Sequence, residues 1–379
     1  VWASVPGGWH EKLGGCVRFL CTAVLLIVTV YWPYFLTAES QVQGITLNFF
    51  NPTQFRQLVL VLGPFTLFVP CLMLWATRSS GPIRRTWLLA CCLLPAVLFL
   101  FLLTMAAVAL ETTEMEVSFS RWVSAPFALM IVGGSLVMLV VLAVRINSVE
   151  NRLGDQRLPT LFSVLLTAVG LGLILMPEVF YVTDYFHSRM NTLFKFYYQG
   201  WLMIGLGSSF GVAICLSERG FRRTLASLSA VLLAACLVFA PAAAGAKTSL
   251  DNLDLDAMAH LGPDQRSMMC WIQEHVPSGT RVLEAVGSSY DADSNRFSTF
   301  TGRPTLLGWP GHEVQWRGSH HAEYSAGRAD VSKLIFSGGG PSEIARALSD
   351  WNIHFVIVGP RERRLVKIDG AREALWWGV

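Results

Sequence analysis

Charged residues are scarce in this sequence. They make up 15% of its 379 residues, against about 25% in an average soluble domain. Hydrophobic residues make up 53% and are clustered in long blocks, while the net charge is only +3. This composition excludes an ordinary soluble domain and predicts a protein that crosses the membrane several times.

Several familiar sequence signatures are also missing. No C-x-x-C spacing occurs, and seven of the eight cysteines lie in or beside apolar runs, which argues against a zinc site or a disulfide framework. Neither a G-x-G-x-x-G motif nor a Walker loop is present. The basic residues are scattered over loops, so we expect no nucleic-acid partner. No cleavable signal precedes Gly15, so we expect the chain to be incomplete at its front.

Seven apolar runs are long enough to cross a hydrocarbon core of about 30 Å, because a helix rises about 1.5 Å per residue. They cover approximately residues 16–37, 57–76, 86–110, 126–144, 159–176, 196–216 and 224–245. The sequence therefore predicts an α-helical polytopic membrane domain of about seven spans over residues 1–245.

Lysine and arginine are distributed unevenly among the loops between these runs. Eleven lie on one side of the predicted membrane and four, Arg56, Arg121, Arg189 and Lys195, lie on the other. Because cytoplasmic loops carry the excess of positive charge, we expect a multi-pass protein of the plasma membrane with a cytoplasmic N-terminus. An odd number of spans then places the C-terminal part on the extracytoplasmic side.

From Ala246 onward the sequence no longer contains the long apolar runs of a membrane domain. Runs with helical spacing near residues 263–276, 330–336 and 341–351 alternate with strand-like runs at 281–286 and 353–358. This alternation predicts a small extracytoplasmic α/β domain over residues 246–379, with a sheet that is parallel.

Residues 176–201 separate the fifth and sixth apolar runs and combine both signs of charge with nine aromatic side chains. Arg189 and Lys195 lie on the predicted side of the membrane that carries few cations. We expect them to bind a lipid-linked phosphate, together with Asn191. Glu178 and Asp184 are the candidate catalytic carboxylates, acting as a base or holding a divalent metal. One alternative stays open: the aromatics anchor helix ends, and the charges only neutralise one another.

Residues 308–318 combine glycines with two tryptophans and several polar side chains. Flat rings beside amide, carboxylate and guanidinium groups are typical of sugar-binding surfaces, because pyranose faces are apolar and their edges carry hydroxyls. We therefore predict a loop that binds the sugar or its acceptor. Its residues are Trp309, His312, Glu313, Gln315, Trp316 and Arg317.

Two other interpretations of this segment stay open. Trp309 and Trp316 would alternatively dock the domain onto the membrane helices. Metal-ligating atoms also occur on His312, Glu313, His320, His321 and Glu323, but their spacing matches no standard motif. We assign no metal ligand and no cofactor, and a divalent metal stays open.

Several motifs resemble a known family. They are Pro177-Glu-Val-Phe-Tyr, Arg189-Met-Asn-Thr-Leu-Phe-Lys-Phe-Tyr-Tyr-Gln-Gly-Trp201, Leu283-Glu-Ala-Val-Gly-Ser-Ser-Tyr290, Ser298-Thr-Phe-Thr-Gly-Arg-Pro304 and Gly308-Trp-Pro-Gly-His-Glu-Val-Gln-Trp-Arg-Gly318. With them the chain closely resembles, from about Tyr31 onward, the C-terminal half of the uncharacterised YYY-type membrane proteins. That family is known from Chloroflexus-like bacteria and archaea and is grouped with the GT-C glycosyltransferases.

The resemblance implies an integral-membrane glycosyltransferase that uses a polyprenyl-phosphate sugar donor, of which this chain is the C-terminal part. The GT-C pattern would place its key acidic residue in an early outer loop of the N-terminal half. Neither that half nor the Tyr-Tyr-Tyr motif is present here, so no catalytic acid is carried over. A non-catalytic protein that binds or translocates an envelope lipid or glycan is the alternative.

Overall fold

The computed structural model describes residues 8–37, 42–48, 51–63, 65–80, 83–109, 125–148, 154–184, 188–247, 256–259 and 261–366. Arg121, one of the four cations on the sparse side, lies outside these residues. The chain divides into two compact units, the membrane unit (Val1–Ala244) and the C-terminal unit (Gly245–Val379).

Helices and two short strands make up most of the described part of the membrane unit, and its last helix continues to Lys247. These elements are α1 (Trp9–Thr37), β1 (Gly44–Leu47), α2 (Phe55–Leu62), α3 (Phe65–Ser80), α4 (Arg85–Ala109), α5 (Ala125–Ser148), α6 (Arg157–Val179), β2 (Phe180–Thr183), α7 (Met190–Ser217), α8 (Phe221–Leu237) and α9 (Phe239–Lys247).

Six segments of the described chain are long and apolar enough to cross a membrane, and a seventh is formed if α2 and α3 count as one broken span. Each of the seven predicted runs overlaps one of these segments, which confirms the helical multi-pass architecture. The second run differs from the expectation, because α2 and α3 are bent by 77° relative to each other. The sequence between them is Gly63-Pro64, and proline lacks the N–H that a continuous helix requires.

The core of the membrane unit lies among α3, α5, α6, α7 and α8. Fully buried side chains such as Leu72, Leu142, Val164 and Ile204 fill it. Many other leucines and valines are exposed on the surface of this unit. Such exposure carries no penalty in a bilayer, where lipid tails are as apolar as leucine.

Helices α6 and α7 cross so closely that their backbones nearly touch. A Cβ atom added at Gly170 would lie 2.9 Å from the carbonyl oxygen of Gly200 and 2.7 Å from Cγ1 of Ile204. A Cβ added at Gly200 would lie 2.8 Å from the carbonyl oxygen of Gly170. Small residues at this crossing allow tight van der Waals packing, which drives helix association in lipid.

Strands β1 and β2 form an antiparallel pair next to the end of α6. Gly44 pairs with Thr183 and Leu47 with Phe180. The side-chain oxygens of Thr46 and Thr183 lie 2.6 Å apart. This pairing fixes the chain after α6 and defines what we call the β1–β2 end of the membrane unit.

In the C-terminal unit, short helices outnumber strands. The elements are α10 (Pro263–His275), β3 (Arg281–Leu283), α11 (Arg296–Thr301), α12 (Pro310–Arg317), α13 (His321–Ser325), α14 (Arg328–Lys333), α15 (Pro341–Asp350), β4 (Ile353–Val356) and α16 (Pro360–Val366). A 3-10 turn at Gly318–His320 and a π turn at Leu334–Gly338 connect some of them.

The expected parallel sheet is only partly present. Within the described residues of this unit, it consists of β3 and β4 alone, which pair in parallel with an irregularity between Arg281 and Val282. The predicted loop at 308–318 is also different, because most of it forms α12. Pro310 occupies the first turn of that helix, where its missing N–H would have no intrahelical partner anyway.

We predict that Gly170→Ala destabilises the membrane unit, by about 1–3 kcal/mol, because the added methyl group overpacks the α6–α7 crossing. Gly172→Ala is the matched control, since nothing lies within 4 Å of a Cβ at that position of the same helix. Thermal unfolding of both variants in detergent measures the effect. Equal melting temperatures would contradict this account of the crossing.

Candidate functional site

Glu178 lies in the last turn of α6 and is only 6% exposed. Its carboxylate accepts the backbone N–H of Thr53 at 2.8 Å and the hydroxyl of Thr53 at 2.5 Å. The Arg189 guanidinium and the Tyr197 hydroxyl also donate to it, at 2.8 and 3.1 Å. The carboxylate is therefore neutralised and heavily hydrogen-bonded, which makes it a poor candidate for a free base.

Arg189 immediately precedes α7 and is 5% exposed. Besides the ion pair with Glu178, its guanidinium donates to the carbonyl oxygen of Pro177 at 3.1 Å and to the hydroxyl of Thr53 at 3.0 Å. The carbonyl groups at a helix C-terminus lack intrahelical donors and attract cations. Arg189 therefore stabilises the end of α6 as well as the buried carboxylate.

Asn48 completes this buried group from the β1 side. Its amide donates to the carbonyl oxygens of Pro177 and Glu178 at 3.3 and 3.4 Å. We call Asn48, Thr53, Glu178, Arg189 and Tyr197 the buried network. It joins the segment before α2, the end of α6 and the start of α7.

The remaining predicted residues of 176–201 are arranged differently. The Asn191 amide donates to the Asp184 carboxylate at 2.5 Å, and this pair is half-buried. Helix α7 begins at Met190, so Lys195 lies inside it and its side chain is exposed. Residues 185–187, which include His187, lie outside the described part of the chain.

Two exposed cations are left at the β1–β2 end. Lys195 and Arg56 have no carboxylate partner among the residues that the structure describes, and Arg56 donates only to the side chain of Gln54, at 2.8 Å. The structure thus separates the two cations that the sequence grouped together. Arg189 is turned inward to Glu178, whereas Lys195 remains accessible.

An apolar cavity of about 310 Å³ adjoins α2. Helices α2, α3, α5, α6 and α7 all contribute to its wall, through side chains that include Phe55, Leu58, Phe65, Ile131, Leu171 and Ile204. Phe55 is two residues from Thr53 of the buried network. The Trp201 indole also donates to the carbonyl oxygen of Val61 near the end of α2, at 3.1 Å, which holds α2 against α7.

In the C-terminal unit, the predicted sugar-binding residues fall into two groups. Trp309 and His312 lie together, with ring centroids 5.0 Å apart. Their third neighbour is Tyr290, a residue that was not predicted, whose ring lies 4.6 Å from His312 and 6.2 Å from Trp309. We call these three residues the ring cluster.

Glu313 and Arg317 form the second group, and they are engaged with each other. The Glu313 carboxylate accepts the Arg317 Nε–H at 2.5 Å and the backbone N–H of Gly308 at 3.3 Å. The Arg317 guanidinium lies over the ring of Tyr324, 3.3 Å from its centroid. The Glu313 carboxylate raises the pKa of Arg317 further above its ordinary value. Trp316 is 73% exposed, while Gln315 is half-buried.

No three His, Cys, Asp or Glu side chains are grouped so that they could hold a metal ion, within the described residues. His312 lies in the ring cluster and Glu313 in the ion pair with Arg317. His320 and His321 follow α12 in the chain. The structure therefore offers no described site for the divalent metal that the sequence left open.

Sequence reasoning missed a further carboxyl group, Glu284, which follows β3 and is 2% exposed. Its carboxylate accepts the backbone N–H groups of Phe297 and Ser298 at 2.9 and 2.7 Å. Burial raises the pKa of Glu284 above its ordinary value. It borders a polar cavity of about 120 Å³ that also contacts Arg296, Arg361 and Glu362.

The comparisons with known proteins concern mainly the membrane unit. A family model described as "Uncharacterized membrane protein (DUF2298)" matches residues 5–204. This range includes the whole buried network and ends within α7. No curated protein and no solved structure matches the chain.

We predict that breaking the buried ion pair from either side, by Glu178→Gln or Arg189→Met, destabilises the membrane unit by about 3–5 kcal/mol, because one charge is then left buried without its partner. The double variant should lose clearly less than the sum of the two single losses. Thermal unfolding can be followed with a thiol-reactive dye once the thiols accessible in the folded protein have been blocked, because the dye then detects exposure of the buried residues Cys71 and Cys215.

The control for this cycle is Arg78→Gln. Arg78 forms an ion pair with Glu218 whose side chains are 53% and 24% exposed, so its loss should cost only about 0–1 kcal/mol. Strictly additive losses at Glu178 and Arg189 would contradict the coupling.

We predict that Glu284 makes the stability of the C-terminal unit depend on pH. Because its pKa is raised in the folded state, its stabilising contribution is complete below its ordinary pKa of 4.5 and is lost as the pH rises through the raised value. Relative to Glu284→Gln, which does not titrate, the wild type should lose stability as the pH rises from 4.5 towards neutrality. Pulse proteolysis of the full chain in urea, scored for cuts within residues 256–366, measures this. A difference that is constant over this pH range would refute it.

Proposed function

The chain belongs to the uncharacterized membrane protein family DUF2298, and from this premise we propose that it is an integral-membrane glycosyltransferase of the GT-C type. It takes a sugar from a polyprenyl-phosphate donor and transfers it at the extracytoplasmic face of the plasma membrane. In this proposal the N-terminus is cytoplasmic, and both the β1–β2 end and the C-terminal unit are extracytoplasmic.

One observation carries the proposal: among the described residues, the β1–β2 end leaves two cations accessible beside a buried network whose own charges cancel. Glu178 and Arg189 neutralise each other at 2.8 Å, whereas Arg56 and Lys195 are exposed. Arg56 lies on α2 and Lys195 on α7, and the segment just before α2 contacts α7 where the hydroxyl oxygens of Thr53 and Tyr197 lie 3.2 Å apart. Fixed cations at headgroup level attract a lipid phosphate and stabilise the charge that develops on it as a leaving group.

The apolar cavity beside α2 supports the lipid part of the donor. Its volume of about 310 Å³ is roughly twice that of a cavity which holds one benzene molecule, about 150 Å³. It therefore has room for a short stretch of hydrocarbon chain. Helix α2 has eight residues, about 12 Å of helix, and links the cationic end to this cavity. The head and the tail of an amphiphile would thus be accommodated along one element.

The transfer breaks the bond between the sugar C1 and the phosphate oxygen and forms a bond between C1 and the acceptor oxygen. The acceptor hydroxyl loses its proton to a base, and polyprenyl phosphate leaves as the anion. Of the two candidate carboxylates, Asp184 suits the role of base better, because Glu178 is already paired with Arg189. Asn191 orients Asp184, Lys195 and Arg56 hold the phosphate, and Arg189 is a positioning residue.

A second candidate, a non-catalytic protein that binds or translocates an envelope lipid or glycan, is favoured by the saturation of Glu178. Within the described β1–β2 end, Glu178 and Asp184 are the only carboxylates, so an enzyme would need Asp184 as its base. Binding and turnover therefore have to be measured separately.

We predict that Arg56→Ala combined with Lys195→Ala weakens the binding of undecaprenyl phosphate by roughly 2 kcal/mol, on the order of 30-fold, since each cation near a lipid phosphate contributes about 1 kcal/mol. Native mass spectra of the detergent-purified chain with added lipid measure this. Arg85→Ala, which removes an exposed cation at the start of α4, is the control and should bind normally. Equal binding by all three proteins would overturn the phosphate site.

Turnover then separates the two candidates. With polyprenyl-phosphate glucose or mannose as donor, Asp184→Asn should reduce transfer or hydrolysis by roughly 10²-fold or more, as expected for loss of a general base, while lipid binding is retained. Lipid binding by the wild type without any turnover would reject the enzyme and leave the binding protein.

A further inference from the structure

Tyr290 has a backbone conformation that is costly for its residue type. Its φ is +64°, in the left-handed region, where a side chain with a Cβ meets steric conflict. The other described non-glycine residues with positive φ are Asn295 and Asn352, and asparagine tolerates this region. Tyr290 is therefore the one bulky residue among the described non-glycine residues with positive φ. Such strain persists only where the surrounding structure enforces it.

Burial does not explain why a tyrosine is present at this position. Tyr290 is 62% exposed, so it contributes little to the core of the C-terminal unit. A glycine would adopt the same backbone conformation without conflict. The ring is thus held at the surface at the expense of stability.

Neighbouring contacts fix the position of this ring. The Ser289 hydroxyl accepts the backbone N–H of Gly311 at 2.7 Å, which joins the Tyr290 segment to the first turn of α12. The Trp309 indole N–H donates to the carbonyl oxygen of Ser294 at 3.2 Å, which joins the two segments a second time. A prepositioned ring loses little entropy when a ligand binds.

The three rings of this cluster are tilted against one another rather than stacked in parallel, at interplanar angles of 42°, 54° and 59°. They therefore meet as a corner and do not form a flat stack. His312 Nδ1 is buried and has no hydrogen-bond partner in the described structure. The Tyr290 hydroxyl and the Ser289 hydroxyl are further polar groups at the same corner.

We propose that the ring cluster binds a single pyranose residue of a glycan, with Tyr290 as the stacking residue. The apolar C–H face of a pyranose packs on an aromatic ring, while the hydroxyls at its edge require a few nearby donors and acceptors. Trp309 and His312 position Tyr290 and shape the corner. Glu313 and Arg317, which are engaged with each other, have no part in this site.

This inference deepens the proposed function by naming the carbohydrate contact of the C-terminal unit, and it rests on that function for the identity of the ligand as a glycan. Its test uses soluble sugars without any lipid. The outcome is consequently independent of whether the β1–β2 end binds polyprenyl phosphate.

The experiment is saturation-transfer NMR on the full chain, in a detergent without a sugar headgroup. The probes are cellobiose, α-1,2-mannobiose and N,N′-diacetylchitobiose. We expect at least one of them to bind the wild type, and Tyr290→Ala to weaken it by on the order of tenfold, the value of one aromatic contact of about 1.4 kcal/mol. Tyr290→Gly should lose binding equally, yet resist urea better than the wild type in pulse proteolysis, since it relieves the strain.

The matched control is Trp271→Ala. Trp271 is an exposed ring stacked on His275 at 5.1 Å on α10 of the same unit, outside the ring cluster, and its loss should leave sugar binding unchanged. The inference would be overturned if no probe binds the wild type, if Tyr290→Gly binds as well as the wild type, or if Trp271→Ala loses binding to the same extent. Loss of liposome association in the Tyr290 variants, without a loss of sugar binding, would instead identify a membrane anchor and also overturn it.

Discussion

The ion pair between Glu178 and Arg189 is the interaction on which the β1–β2 end of the membrane unit depends. Removing two opposite charges from water is expensive, and their attraction compensates only when the remaining hydrogen-bonding atoms are also satisfied. Thr53 and Tyr197 supply those hydrogen bonds to the carboxylate. The pair thereby requires that the segment before α2, the end of α6 and the start of α7 meet at one point.

The charged residues of this end fall into two groups, those that are paired within the protein and those that remain exposed. Glu178 and Arg189 satisfy each other and hold the helices, while Lys195 and Arg56 keep their charge accessible. The C-terminal unit shows the same division. Glu313 and Arg317 are paired, and the neighbouring Tyr290 is held outward in a strained conformation. In both units some side chains stay exposed, Lys195 and Arg56 in one and Tyr290 in the other, while neighbouring charges are engaged in ion pairs.

Much of the architecture could be predicted from the sequence, because long apolar runs and helical spacing are local properties. The seven runs and the helices at 263–275 and 341–350 are examples. The sheet was overestimated, since the β-branched residues at 353–358 have strand propensity, but β4 covers only Ile353–Val356 of this run. Strand formation depends on a neighbour elsewhere in the chain. The break between α2 and α3 did have a local signal, Gly63-Pro64, which indicates a bend without giving its angle.

The candidate site was predictable as a region but not as a set of roles. The sequence by itself determined that residues 176–201 bring charges and aromatic rings between two membrane helices, and that 308–318 is rich in tryptophan. Only the tertiary structure decided that Arg189 forms an ion pair with Glu178 while Lys195 stays exposed. It also decided that Tyr290 lies beside Trp309 and His312. The reason is physical: the role of a charge or a ring is set by the atoms within a few ångströms of it. For Glu178, the decisive partner, Thr53, lies 125 positions away in the chain.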